Sequence, residues 1–174
     1  MKDNDWKSIA EFIGLGAIVA SLIFVGLELQ QQQKIAIAAQ YQERSKTAID
    51  YFLEISERPV YQQRTAERLR RRYDVSGLTM EDRELLENGS PKEICDWFIQ
   101  AQINLLMFDN NYFQYESGFA SEDTWQNQRE RLKWLLQTNS FARQEIRTFG
   151  SRFRPTFVDV LSPLIDEIES GDER

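Results

Sequence analysis

The chain has no histidine, one cysteine, four prolines and eight glycines in 174 residues. Without histidine there is no Ser–His or Cys–His nucleophile pair, almost no route to a zinc site, and no Glu-x-x-His ligation of the di-iron kind. The usual neutral-pH general base is missing as well. Cys95, standing alone, excludes an internal disulfide and a thiolate metal cluster, and a free thiol fits a reducing compartment. No convincing run alternates apolar and polar residues, so strands are not indicated. Internal repeats and low-complexity stretches are also lacking.

Charge of one sign is in short supply too. The chain carries a net charge of −7, and from position 29 onward it keeps 19 basic and 24 acidic residues, a net −5. Such a balance disfavours general binding of nucleic acid or anionic lipid. Aromatic residues, at 12%, are plentiful enough to fill a core, which argues against disorder. The length after the first 29 residues suits one domain and is too short for two.

One long hydrophobic run stands out. Phe12 to Leu27 is sixteen residues without a charge, and Ile9 to Leu29 is 21 residues with only Glu11 and Glu28. At about 1.5 Å of rise per residue, that length matches a hydrocarbon core of about 30 Å. The expected organisation is a short tail over 1–8, a transmembrane helix over 9–29, a helical domain over 30–169 and a frayed tail over 170–174. Two other readings are a buried core helix and a cleaved signal. The signal reading is disfavoured by the mixed charges at Lys2, Asp3, Asp5 and Lys7 and by the distance to the Ala36-Ile37-Ala38 site. Lys34, Arg44 and Lys46 after the span, against Lys2 and Lys7 before it, favour a cytoplasmic C-terminal domain by the positive-inside rule.

Within the span, Gly16 and Ala20, and Ala17 and Ser21, stand four apart, a spacing that lets two helices approach closely. The plain alternative is that small residues are common in membrane helices. Glu28 sits at the exit edge, as an interfacial cap or as a ring at a pore mouth.

Beyond the span, Ile35, Ala38, Gln42, Ser45, Ile49 and Phe52 mark a helical stripe, with Leu53 and Ile55 beside it, and the first helix is expected to run to about Ser56. Pro59 opens a second helix ending near Tyr73 in the basic knot Arg68, Arg70, Arg71 and Arg72. Cations favour a helix C-terminus; contact with phospholipid or an acidic partner is the other reading. A turn around Gly77 leads to Thr79, a cap for a short helix with Glu81 and Asp82 in its first turn. Asn88-Gly89-Ser90-Pro91 breaks that helix. Pro91 starts a long one, with Ile94, Phe98, Ala101, Leu105, Phe108, Tyr112 and Tyr115 on one face and Gly118 at its end. Ser121 starts a helix through Trp125, Leu132 and Leu136; Asn139 or Ser140 starts a short segment to Phe149; Pro155 opens the last helix, with a kink expected at Pro163. The fold class is all-α: an N-terminal transmembrane helix extending into a small helical bundle.

Some motifs carry a resemblance. The apolar helix with its Gln-rich exit is followed by Leu78-Thr79-x-Glu81-Asp82, then by Asn111-Tyr112-Phe113-Gln114-Tyr115-x-x-Gly118. Asp123-x-Trp125 and Phe153-Arg154-Pro155-x-Phe157 complete the series. In this order they resemble a widespread family of small bacterial single-pass membrane proteins of unknown function, across nearly the whole chain. The resemblance implies a bacterial inner-membrane protein and supplies no catalytic residues. The break at Asn88 to Pro91 departs from the continuous helix expected there.

Acidic pairs three apart occur at Glu54/Glu57, Glu84/Glu87, Glu93/Asp96 and Asp166/Glu169. Paired carboxylates on a helix can hold Mg²⁺ for hydrolysis, but roughly four or five such pairs arise by chance at this acidic content. Tyr112, Phe113 and Tyr115 form an aromatic group that extends the core stripe; a partner surface there, with Arg70, Arg71 and Arg72, is the alternative. Trp97, Trp125 and Trp134 are read as core or subunit contacts, and Cys95 as an inert buried thiol.

The functional expectation is a non-enzymatic membrane-anchored scaffold or accessory subunit. Its partners are the lipid bilayer and either copies of itself or a larger membrane complex, with no nucleic acid, no cofactor and no metal. The alternatives are an oligomeric pore with Glu28 at its mouth and a weak Mg-dependent hydrolase using the paired carboxylates.

Overall fold

The computed structural model describes residues 3–172. Seven α-helices and two short 3₁₀ turns account for nearly all of them, and no strand occurs among the described residues. The all-α fold is therefore established. Contacts divide the chain into two compact units, Met1–Gln40 and Tyr41–Arg174.

α1 (Asp3–Ser56) makes up the first unit as far as Gln40 and continues into the second; it begins at Asp3, six residues before the expected start of the span. It contains a stretch long and apolar enough to cross a membrane, and none of that stretch is buried within the chain. Phe12, Leu15, Leu22, Phe24 and Leu27 are all exposed.

The second unit is built on α4 (Pro91–Glu116), which lies in both of its hydrophobic clusters. Ile94, Phe98, Ala101 and Leu105 of the expected stripe are buried. The N-terminal half of α4 packs against α2 (Pro59–Arg72) and α3 (Met80–Asn88) through Ala66, Leu69, Leu86 and Ile94. Its C-terminal half packs against α5 (Glu122–Thr138) and α7 (Pro155–Asp172) through Leu105, Trp125, Leu132, Phe157 and Leu161. Between the clusters, α6 (Ser140–Phe149) gives Phe141 to one and Ile146 to the other.

Local chemistry explains the helix boundaries. Thr79 caps α3, Ser121 caps α5, and Asn139 rather than Ser140 caps α6 by accepting from the Ala142 N–H. Ser90 and Glu93 form a reciprocal capping box at the start of α4, so the break at Asn88 to Pro91 is a built helix junction. Gly118 has φ of 80°, and the Phe119 N–H donates back to the Gln114 carbonyl at 2.8 Å, closing α4 through a conformation glycine adopts without strain.

Several sequence expectations need correcting. Of the expected stripe on α1, Ala38 and Ile55 are buried and Ser45, Ile49 and Phe52 half-buried, with Tyr41 added; Ile35, Gln42 and Leu53 are exposed. Trp134 is 65% exposed, because α5 turns its Leu132–Leu136 face inward, so it is not a core residue and only the reading as a subunit contact remains. The last helix passes through Pro163 and runs to Asp172; of the tail expected over 170–174, residues 173 and 174 lie outside the described residues.

Candidate functional site

Four regions carry the residues singled out in the sequence, and each has its own environment. On α1, Ala17 and Ser21, with Ile18, Leu22 and Val25, line a shallow surface depression. A Cβ placed on Gly14, Gly16 or Gly26 would meet no atom of the chain within 4 Å. Nothing in this chain's own packing therefore requires those residues to be small. Glu28 accepts a long hydrogen bond of 3.5 Å from Gln32, one turn on, and is exposed.

The arginine knot separates into three roles. Arg70 donates from Nε to the Leu86 carbonyl at 2.9 Å and from Nη2 to the Gly89 carbonyl at 2.8 Å, which satisfies the C-terminal end of α3. Arg71 points to solvent. Arg72 joins Arg68, one turn earlier on α2, in lining a pocket together with Phe98, Glu145, Phe149 and Arg152. The cavity is small, about 20 Å³, and opens to solvent. At its edge Glu145, 1% exposed, accepts from the Tyr73 hydroxyl at 2.8 Å and from Arg152 Nη1 at 2.9 Å. Burial, reinforced by the neighbouring Glu145, pushes the Tyr73 phenol far above its ordinary range. The guanidinium of Arg152 lies 4.3 Å from the Phe149 ring centre and that of Arg68 lies 5.2 Å from the Phe98 ring centre.

The aromatic group is used internally. Tyr115 stacks on Trp125 with ring centres 5.7 Å apart, and its hydroxyl bonds to Glu122. Tyr112 packs on Trp125 at 4.8 Å and on Phe157 at 6.0 Å. Phe113 stacks on Tyr41 at 4.4 Å. Arg154 sits among these rings, its guanidinium carbon 5.4 Å from the centres of Tyr41 and Tyr112 and 5.0 Å from that of Phe113. It donates to Asp109 and, at 2.7 Å, to Glu116, while the Tyr41 hydroxyl donates to Asp109 Oδ2 at 2.6 Å. A cation held by rings and two carboxylates ties the end of α1, the second half of α4 and the start of α7 together. Burial raises the Asp109 carboxyl above its ordinary range, against the opposing pull of Tyr41 and Arg154. Burial likewise raises the Tyr41 phenol to about 12, with help from the Asp109 carboxylate.

Most of the paired carboxylates have structural duties. Glu54 pairs with Arg58, Asp96 with Lys92, and Asp166 and Glu169 both with Arg147. Glu93 belongs to the capping box. Among the described residues, no group of three His, Cys, Asp or Glu side chains comes together as a metal cage. Cys95 is fully buried, and burial pushes its thiol up.

Sequence reasoning did not foresee that the fold buries four charged residues. Asp82, Asp109, Arg143 and Glu145 are all enclosed in the second unit. Asp82 accepts from the Ser140 backbone N–H at 2.8 Å and from its hydroxyl, binding the start of α6 to the start of α3. Arg143 Nη1 reaches the Leu136 and Gln137 carbonyls, at the end of α5. Periodicity gives no sign of these roles, since a charge on a helix is read as outward-facing until its partner is known. The chain matches no family model, no curated protein and no solved structure.

Proposed function

We propose that this is a single-pass protein of the bacterial inner membrane, a non-enzymatic helical scaffold or accessory subunit whose partners are the bilayer and either copies of itself or a larger membrane complex. The observation that carries this reading is the unburied apolar stretch of α1. An exposed run including Phe12, Leu15, Leu22 and Phe24 exceeds the apolar patch a soluble monomer tolerates, and lipid is the medium that suits it. The exposed glycines and the depression at Ala17 and Ser21 support close approach by a second helix. The Lys/Arg balance across the span supports a cytoplasmic position for the helical unit.

The test is assembly size. Full-length protein is purified in mild detergent and its mass measured, with any co-eluting chain identified. Gly16→Leu with Ala20→Leu is expected to split the assembly while leaving the helical content intact. An assembly of unchanged mass would reject this interface.

A further inference from the structure

We propose that the pocket lined by Arg68, Arg72 and Arg152 is a binding site for a phosphate group. Three guanidiniums and one carboxylate, Glu145, line it, so it carries a net charge of +2 within a chain of net charge −7. Among the described residues neither Arg68 nor Arg72 has a carboxylate within salt-bridge distance, as is true of most arginines of this chain; what sets these two apart is that they share one pocket with Arg152. Two of the cations are held in place by rings: Arg68 by Phe98 and Arg152 by Phe149. Arg152 is fixed further by its 2.9 Å bond to the buried Glu145, which Tyr73 also holds. Arginine forks matched to an oxyanion and ordered beforehand give phosphate recognition its strength and geometry. A phosphate monoester carries about −1.5 to −2 charges at neutral pH, which balances the pocket. The cavity itself, about 20 Å³, is too small to enclose a phosphate, so the group is held at its open mouth, between the exposed guanidiniums.

The same headgroup chemistry can arrive free in solution or on a lipid, and the experiment separates them. Full-length protein in neutral detergent is treated with phenylglyoxal, and modification of Arg68, Arg71 and Arg72 is followed by mass spectrometry with inorganic phosphate or chloride at equal ionic strength. The expected result is protection of Arg68 and Arg72 of about tenfold by phosphate, with solvent-facing Arg71 modified equally in both salts. A second arm uses phosphatidylcholine nanodiscs with and without phosphatidic acid. Protection by phosphatidic acid alone identifies a headgroup site, and protection by phosphate in both settings identifies a soluble ligand. In a third arm, Arg68→Gln with Arg72→Gln removes the phosphate-dependent rise in melting temperature, while Arg71→Gln keeps it; this comparison cancels the general stabilisation that phosphate gives any protein. Equal modification of all three arginines under every condition would overturn the proposal, as would a phosphate effect that Arg68→Gln with Arg72→Gln leaves intact.

Discussion

Arg154 and Asp109 are joined twice: Nε donates to Asp109 Oδ1 at 3.0 Å, and Nη2 donates to the Asp109 backbone carbonyl at 3.1 Å. Both are largely enclosed, at 19% and 7% side-chain exposure. Removing the cation leaves a buried carboxylate with only the Tyr41 hydroxyl. Arg154→Ala is expected to lower stability by about 2–4 kcal/mol. Arg154→Lys keeps the charge but loses the planar fork, so it recovers only part of that. Urea titration of the full-length protein in detergent, followed by far-UV circular dichroism, measures both. An alanine variant within about 0.5 kcal/mol of the parent would remove the clasp from the account of stability.

Alkali should undo the same clasp. The Tyr41 phenol titrates at about 12 in the fold and near 10 when unfolded. Because the folded value is the higher one, the stability it represents is fully present below pH 10 and is lost as pH rises through 12. Absorbance of phenolate against pH should show Tyr41 and Tyr73 ionising after the other tyrosines, and Tyr41→Phe should remove one late-titrating group. A single transition near pH 10 in the folded protein would contradict this.

Asp82 predicts a third effect. It is 1% exposed and accepts two bonds from Ser140, at the first turn of α6. Asp82→Ala strips the buried Ser140 N–H of its acceptor and is expected to cost about 2–3 kcal/mol; Ser140→Ala keeps that bond but loses the hydroxyl, which also accepts from the part-buried Thr79 N–H at 3.1 Å, and is expected to cost about 1–2 kcal/mol. Melting curves of the two variants give the order. Equal losses would place the energy in the hydroxyl contact alone.

These cases show what the sequence made legible. Helix starts at Pro59, Pro91 and Pro155, and the caps Thr79 and Ser121, rest on local chemistry that four neighbouring residues contain. The stripe of α4 is a matter of period and was likewise readable. Tyr41, Asp109 and Arg154 are separated by 68 and 45 residues, and no local pattern links them. Arg154 was visible only as part of a motif, Glu145 not at all, and Arg72 only as one member of a basic knot whose three roles depend on where α3 and α6 pack.

Within α1, a charge at the centre of the apolar stretch is the sharpest perturbation. Leu22→Arg raises the cost of placing that segment in a bilayer by about 3 kcal/mol. The substituted chain is expected to lose membrane association in part, with the fraction in the membrane measured by quantitative blotting of separated fractions. Unchanged partition would mean that the apolar stretch does not carry membrane binding.

Flotation is the most direct test that α1 lodges in lipid. Cells producing the full-length chain are lysed without detergent and the lysate is layered beneath a sucrose gradient. The expected outcome is that the protein rises with the membranes through a high-salt wash and is released only by detergent, while a chain lacking residues 9–29 stays at the bottom. Full-length protein that remains in the dense fraction as a monodisperse soluble species would contradict the membrane assignment and the scaffold function built on it.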